Sequence, residues 1–587
     1  MRFSKLQDAK LYLFDTTNDF VCNHASNAIR VALEDELISD AAGNFSPLGG
    51  QPLSQGKAIL QAHRLYQEAL KKIPKESEEI LWWEILAPQI ILYFVSKILR
   101  SQDIYARIQE KGQRKIVIRS TNKIIAAFAK DHMTDRKDKI GKMERGNARK
   151  SFFKNIFSYL LASYRCLKIW SPSLSVFSKS NSCDVLIWCQ NKVHEATGFA
   201  VADVLKQKGK KAACLVNRNV KNQYAWQIDT FRNLAWLKNI FFMIPELRRV
   251  LGHMARQLLD QSYFPSKLPK TKNLEILLKE TLWHWYIPQA ADAWVVSGII
   301  LDHLKPSIVL IQDIADFRTR ALAIQAHQRK IPVIHHQFGS SGACSIEWRW
   351  DCVDVHSVWG KWSEEIALQY GVEASKIHIA GTPRMAESDN QTNGKLSNKK
   401  KVLFPLVPSS PLKFGNGGAI TQGECKEILR ILFKWAEKLS DKVELLLKPR
   451  PLSDDSWYLS VLPEAPKNIF VLPADRAITK ILEDVDAVIT THSTVAIDAI
   501  LAEKPLIIIS LPSLLSSYPF AKQGVAMEIS SEKELTSTME RILWDPLVQQ
   551  IMKERQRLCR VYLVAFQGRD SAINIAELIL NKLQRFI

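Results

Sequence analysis

The sequence predicts an α/β protein in which two Rossmann-like domains face a cleft, behind an N-terminal extension that is α/β or mostly helical. Three observations lead there. From Cys183 onward, short apolar runs rich in β-branched residues alternate with helical stretches, the pattern of a parallel sheet covered on both faces. The alternation stops in the polar stretch Gln391–Lys401, "QTNGKLSNKKK", and restarts at Val402. At 587 residues, the chain is too long for one hydrophobic core. The expected units are an extension over residues 1–179, a first domain over 180–390 and a second over 400–587.

In the extension, "KLYLFD" (Lys10–Asp15) and "RKIVIRS" (Arg114–Ser120) read as strands, with helices over Ser54–Lys72 and Ser77–Arg100. Thr134–Lys150 is highly charged with two glycines and reads as a solvated loop or linker, followed by a plausible amphipathic helix, "SFFKNIFSYLLASYRCLKIW". The first domain should contain strands at Cys183–Cys189, Ala212–Asn217, Ser307–Asp313, Ile331–Gly339, Val353–Gly360 and Lys376–Gly381. A long, Trp-rich helical stretch is expected over Gln223–His303, and a helix over Phe317–Arg329. In the second domain the strands are Val402–Val407, Val443–Pro451, Asn468–Pro473, "DAVIT" ending at Thr490, Leu506–Ser510 and Gly524–Ser530.

Composition narrows the class. Apolar residues make up 47% and charged residues 24%, as in a globular protein. The formal charge of +20 favours polyanions, anionic head groups or phosphorylated substrates without choosing among them. Nine scattered cysteines form no C-x-x-C pair and no zinc spacing, which points to a reducing compartment and no metal site. "MRFSKLQDAK" leads into no long apolar run, so no signal peptide is expected. Trp82–Leu99 contains Glu84, Pro88, Gln89 and Lys97 and reads as a buried or interfacial helix rather than a membrane span. The expectation is a cytoplasmic protein, with a peripheral contact to anionic membrane at the inner face of the cytoplasmic membrane left open. The tryptophans do not interleave with basic residues, so nucleic acid is not an expected partner.

Ligands in parallel sheets sit at the carboxyl ends of the strands. Polar groups follow nearly every apolar run there: Gln190–Asn191, Asp313, His335–His336–Gln337, Gly381–Thr382–Arg384, Lys448–Arg450 and Thr491–Thr494. Ser493 or Thr494 can cap a helix beginning near Val495, and the same free N–H groups can hold a phosphate. A plain cap is the simpler alternative, but "TTHST" is longer than a cap needs. Lys448 and Arg450 would counter phosphate charge; a pair of surface charges beside a turn proline is the alternative. In "PVIHHQFGSSGACS", His336 or His335 is a candidate general base, as is Asp313, which could instead orient a histidine. Core or surface histidines before a flexible loop are the simpler reading. "FGNGG" (Phe414–Gly418) lacks dinucleotide or P-loop spacing. No D-x-D motif ends a strand, and Asp454–Asp455 reads as a solvated loop, so a metal-independent reaction is expected.

"WGKWSEEIALQYGVEASKIHIAGTPRM", then "KPRP", then "THSTVAIDAILAEKPLI" together resemble the bacterial surface-carbohydrate transferases of the two-Rossmann (GT-B) type. That group includes capsular polysaccharide, Kdo and sialic acid transferases and the CDP-glycerol glycerophosphotransferases; UDP-N-acetylglucosamine 2-epimerases share the fold and a similar late motif. The resemblance runs from about Cys183 to the end and is best over Val353–Ser510. It implies a glycosyltransferase of surface polysaccharide biosynthesis, moving a sugar from a nucleotide-activated donor to a glycan or lipid-linked acceptor, with no cofactor beyond that substrate. The alternatives it implies are a polyol-phosphate transferase, an epimerase-like enzyme or a non-catalytic scaffold. Carried over to this chain, Ser493 and Thr494 with His492 beside them bind the nucleotide's phosphates, and Gly381, Pro383 and Arg384 match a "G-x-P-R" turn. Two departures stand out. Arg450 replaces the histidine of a common "K-P-H-P", and Phe338 interrupts a common "Q-H-G".

Overall fold

The computed structural model describes residues 10–14, 28–32, 37–39, 45–47, 55–70, 95–109, 115–118, 182–217, 220–228, 287–342, 345–349, 352–384, 399–407, 420–450, 457–491, 493–510 and 520–586. The charged stretch Thr134–Lys150, the amphipathic segment after it, "FGNGG", Asp454–Asp455 and His492 lie outside the described residues.

The extension carries a five-stranded sheet of β1 (Lys10–Phe14), β2 (Ala28–Ala32), β3 (Leu37–Ser39), β4 (Phe45–Pro47) and β5 (Lys115–Ile118), in the order β4-β3-β2-β1-β5. The two strands expected there pair with each other in parallel. Helices α1 (Gln55–Leu70) and α2 (Ser96–Gln109) pack together. Helix α2 runs nine residues past the predicted end at Arg100.

The first domain is a seven-stranded, wholly parallel sheet of β6 (Val185–Cys189), β7 (Ala212–Val216), β8 (Ala225–Gln227), β9 (Ile308–Ile311), β10 (Val333–His336), β11 (Val355–Val358) and β12 (Ile377–Ile379), in the order β12-β11-β10-β9-β6-β7-β8. Strand β8 corrects the expected helical stretch: Ala225–Gln227 extends the sheet edge beside β7. The described helix there, α4 (Ile287–Leu304), begins only at Ile287. Helices α3 (Lys192–Gln207) and α5 (Phe317–Gln328) complete the crossovers.

The second domain is a six-stranded parallel sheet of β13 (Lys400–Pro405), β14 (Val443–Lys448), β15 (Ile469–Val471), β16 (Ala487–Thr490), β17 (Leu506–Ile509) and β18 (Met527–Ile529), in the order β15-β14-β13-β16-β17-β18. The predicted linker to Lys401 runs two residues too far, because Lys400 and Lys401 already pair with β14. Its helices include α7 (Gln422–Lys438), α9 (Val495–Leu501), α10 (Glu532–Trp544) and α11 (Pro546–Leu563). Two shorter helices, α6 (Lys361–Gln369) after β11 and α8 (Ile478–Asp484) before β16, fill the remaining crossovers.

Both sheets are buried on two faces, which is why their strands are apolar runs rather than alternating ones. Val185, Ile187 and Cys189 pack on one face with helix α12 (Gly568–Phe586), while Leu186 and Trp188 pack on the other with α4 and α5. The chain therefore leaves the second domain and returns to cover the first. On the way back, the Ala565 N–H donates to the Trp359 carbonyl (2.8 Å) and the Thr382 N–H to the Phe566 carbonyl (2.9 Å). Gly381 sits at φ +76°, and a Cβ there would lie 1.9 Å from the Phe566 oxygen. The glycine of "AGTPRM" thus admits the returning chain.

Strand order reverses between β6 and β9 in the first sheet and between β13 and β16 in the second. These switch points open crevices at the carboxyl ends. The loop after β10 meets the turn after β16, with Ser340 Oγ 3.4 Å from Thr494 Oγ1. The loops at the carboxyl ends of the two sheets thus meet.

Candidate functional site

On the first-domain side, strand β6 ends at Gln190 and Asn191 caps α3, its Oδ1 accepting from the N–H groups of Val193 (2.9 Å) and His194 (3.1 Å). That cap places His194 in the first helical turn, fully buried. Its Nδ1 faces the Gln190 N–H at 3.3 Å. A backbone N–H can only donate, so Nδ1 is the acceptor and a neutral ring carries its proton on Nε2. That Nε2 is buried without a hydrogen-bond partner. The ring meets Phe338 edge-on, centroids 4.5 Å apart. Burial first, then the charges of Arg384 and Arg318, pull His194 down to about 3.

Across the switch point, the Gln190 amide donates to Asp316 Oδ2 (2.7 Å), while its Oε1 has no partner. Asp316 caps α5 and pairs with Arg318, whose Nη2 lies 2.5 Å from Oδ2. Asp313 accepts from the Ala315 N–H at 2.9 Å. Burial, reinforced by the Asp316 charge, pushes Asp313 up to about 6. Glu347, in the loop beyond β10, is pushed up to about 7 by burial, with the Asp313 charge adding to it.

The adjacent histidines of β10 part company because successive strand residues face opposite sides. His335 meets Trp348 edge-on, centroids 5.2 Å apart, with its Nδ1 3.0 Å from Nδ1 of His356. It is packed among core rings. His336 lies on the other face, where its Nδ1 is 3.0 Å from Ser357 Oγ and its buried Nε2 has no partner. Burial, His194 and Arg384 bring His336 down to about 3. The neighbouring Gln337 is used structurally. Its Oε1 accepts from the Trp359 N–H and its carbonyl from the Trp359 indole N–H, both at 2.8 Å, and these bonds fix the loop that carries Ser340.

Arg384 lies with its guanidinium 4.9 Å over the Trp359 ring, and burial lowers its pKa. The Asp498 carboxylate of the second domain opposes that shift. Burial in turn raises Asp498, and Arg384 pulls it back. Arg384 follows a strand of the first domain and Asp498 lies in α9 of the second, so this influence crosses between the domains.

On the second-domain side, β16 ends in Thr490 and Thr491, both buried and both with an Oγ1 lacking a partner. Ser493 Oγ accepts from the Val495 N–H at 3.2 Å, whereas Thr494, the N-cap by position, makes no side-chain cap bond. The cap is therefore Ser493, and Thr494 is left to face Ser340. Lys448 is held elsewhere: its ammonium donates to the carbonyls of Pro449 (2.8 Å) and Ala474 (2.7 Å), tying the end of β14 to the loop after β15. Burial lowers its pKa. Arg450 is exposed.

The structure thus brings His336, Arg384 and Thr494 to one cleft, puts Asp313 at the switch point of the same sheet, and packs His335 into the core. The sequence reading passed over His194 and Glu347. His194 had a signal, since it lies one helical turn beyond a strand end. Glu347 had none, because its burial depends on how the loop after β10 folds back. Among the described residues no group of acids, histidines and cysteines is arranged to hold a metal ion.

No protein-family model matches the chain. No curated protein sequence is similar to it either. Solved structures are similar at a distance. S. aureus MnaA bound to UDP shares 13% identity over 68% of this chain and 96% of its own, with a TM-score of 0.42. UDP-GlcNAc 2-epimerase from Methanocaldococcus jannaschii shares 12% over 68% and 99%, also at 0.42. A glycosyltransferase from Rickettsia africae shares 10% over 69% and 99%, at 0.41.

Proposed function

We propose that this chain is a nucleotide-sugar enzyme of the GT-B architecture, and specifically a glycosyltransferase that transfers a sugar from a nucleotide-activated donor to a glycan or lipid-linked acceptor in surface polysaccharide biosynthesis. One observation carries the reading. Buried polar atoms without partners cluster at the carboxyl ends of both sheets: Gln190 Oε1, His194 Nε2 and His336 Nε2 on one side, Thr490 and Thr491 Oγ1 on the other. A folded protein rarely leaves such atoms unsatisfied unless something else supplies the bond.

In this scheme the donor's phosphates rest on Thr490, Thr491, Ser493 and Thr494, with Arg384 of the first domain countering their charge. Helix α9 spans only seven residues, so hydroxyls and the arginine contribute more than a dipole does. Asp313, with a pKa near 6, takes the proton from the acceptor hydroxyl. The oxygen attacks the anomeric carbon, the bond from that carbon to the phosphate oxygen breaks, and the nucleotide leaves with its new charge against Arg384. His194 and His336, both neutral near pH 7, act as hydrogen-bonding groups to sugar or phosphate oxygens. The protein works at the inner face of the membrane that holds its acceptor.

A specific observation favours a second reading. An epimerase needs carboxyl groups facing the sugar, and Asp313 and Glu347 both have pKa values brought close to neutrality. The test is a thermal-shift screen with UMP, UDP, CMP, CDP and GDP, followed by incubation with UDP-, CMP-, CDP- and GDP-linked donors. Slow donor hydrolysis with nucleotide release supports the transferase. Isomerisation of the free donor without an acceptor selects the epimerase. Transfer of a polyol phosphate, read by product mass, selects that alternative. No stabilisation and no turnover with any donor would overturn the enzymatic reading and leave a scaffold of the same fold.

A further inference from the structure

Helix α11, 18 residues from Pro546 to Leu563, is apolar on two opposite sides. Met552, Gln556 and Leu563 are buried, where the helix packs against α9, α10 and α6. On the opposite side Leu547, Ile551, Leu558 and Val561 recur at helical spacing, with Glu554 between Ile551 and Leu558 on the same face. They stand in solvent, Leu547 at 65%, Leu558 at 84% and Val561 at 64% exposure. Trp544 just before the helix and Phe566 just after it are exposed as well. A single exposed leucine is ordinary. A stripe along a helix about 27 Å long is not. Because the helix already buries its other side, the stripe adds nothing to the core of the second domain.

Charge decides what covers it. The helix carries Lys553, Arg555, Arg557 and Arg560 against Glu554. Of these, Arg557 also pairs with Glu503 through two bonds of 2.7 Å. The whole chain has a net charge of +20. A second copy would set one basic helix against another. An apolar stripe with lysine and arginine alongside it and aromatic residues at both ends matches a helix lying in the interface of a bilayer. We propose that α11 docks the protein on an anionic lipid surface, with Leu547, Ile551, Leu558 and Val561 at the acyl boundary and the basic side chains among the head groups. This surface stands independently of the reaction proposed above.

The test uses the full chain in co-sedimentation with vesicles of phosphatidylcholine alone or mixed with phosphatidylglycerol. The expected result is binding to the anionic vesicles about ten-fold tighter than to the neutral ones, weakening with salt. Amide exchange of residues 544–563 should slow when anionic vesicles are added. The triple variant Leu547→Ser, Leu558→Ser, Val561→Ser should lose about ten-fold in vesicle affinity while keeping its circular dichroism and melting midpoint, since these side chains are exposed. Three results would overturn the proposal: wild-type protein that ignores anionic vesicles, a folded triple variant that binds them as wild type does, or a wild-type dimer that the triple variant dissolves while neither protein binds lipid.

Discussion

The two halves of the cleft are built from the same strand–turn–helix unit, yet they present different chemistry. The first-domain strand ends carry titratable groups whose protonation burial has displaced in both directions, His194 and His336 down to about 3 and Asp313 and Glu347 up to about 6 and 7. The second-domain turn after β16 offers hydroxyls, Thr490 to Thr494, and a single carboxylate, Asp498, facing Arg384. One wall is suited to moving protons and the other to holding an anion. The contrast also reverses a natural expectation. The histidines, the usual bases near neutral pH, are too weakly basic when buried this deeply, and the carboxyl groups take over that range.

The sharpest way to break this division is Asp313→Asn. Turnover should fall by about a hundred-fold or more, while nucleotide-induced stabilisation stays at the wild-type level. Equal losses in both would mean that Asp313 itself also binds the donor. The turnover of the wild-type enzyme should also fall below about pH 6 as Asp313 takes up its proton. An acid limb unchanged in a slower Asp313→Asn enzyme would assign that limb to another group.

Arg384→Met tests the cation that the first domain supplies opposite the second-domain turn. Losing a charge-assisted partner should weaken nucleotide binding by about ten- to a hundred-fold, measured by titration calorimetry. Retained affinity would move the phosphate away from Thr490–Thr494. A finer comparison is His194→Gln against His194→Asn. The glutamine amide reaches the position of Nε2, the asparagine amide only that of Nδ1. Glutamine should stay within about three-fold of wild type, and asparagine should lose about ten-fold in kcat/KM, corresponding to one hydrogen bond of about 1.4 kcal/mol. Identical losses would reduce His194 to a packing role.

The same burial is expected to show in stability. The imidazoles of His194 and His336 bind protons in the unfolded chain near 6.5 but only near 3 in the fold. The unfolded state therefore takes up more protons between those values. The stability these rings contribute is fully present above about pH 6.5 and is lost as pH falls toward 3, by up to about 1.4 kcal/mol per pH unit for each ring. Denaturant titrations from pH 7 to pH 4 should show a shallower slope for His194→Gln than for wild type.

Much of the fold was legible because buried parallel strands are written as unbroken apolar runs. "VLIWC", "IVLI", "VELLLK" and "LIII" all appear as strands. The misses have physical causes. Ala225–Gln227 is a three-residue edge strand whose pairing with β7 is tertiary, so the helical pattern around it dominated. At the candidate site, the strand-end rule singled out Gln190, Asp313, His336, Arg384 and the turn at Thr491–Thr494. It could not say that Lys448 would spend its donors on two carbonyls, nor that Ser493 rather than Thr494 would cap α9. Those outcomes depend on side-chain reach in three dimensions. The separation of His335 from His336 did follow from strand alternation; which of the two faced the cleft did not.

The return of α12 to the first domain also bears on how the protein is made. The face of the first sheet formed by Val185, Ile187 and Cys189 is closed by Ala572, Ile575 and Ile579. Those covering residues leave the ribosome only after the whole second domain has been synthesised, a delay of tens of seconds at about 5–20 residues per second. Throughout that interval α3, through Val201, Ala202 and Leu205, covers only its own part of that face. The first domain is thus begun early in translation and finished last.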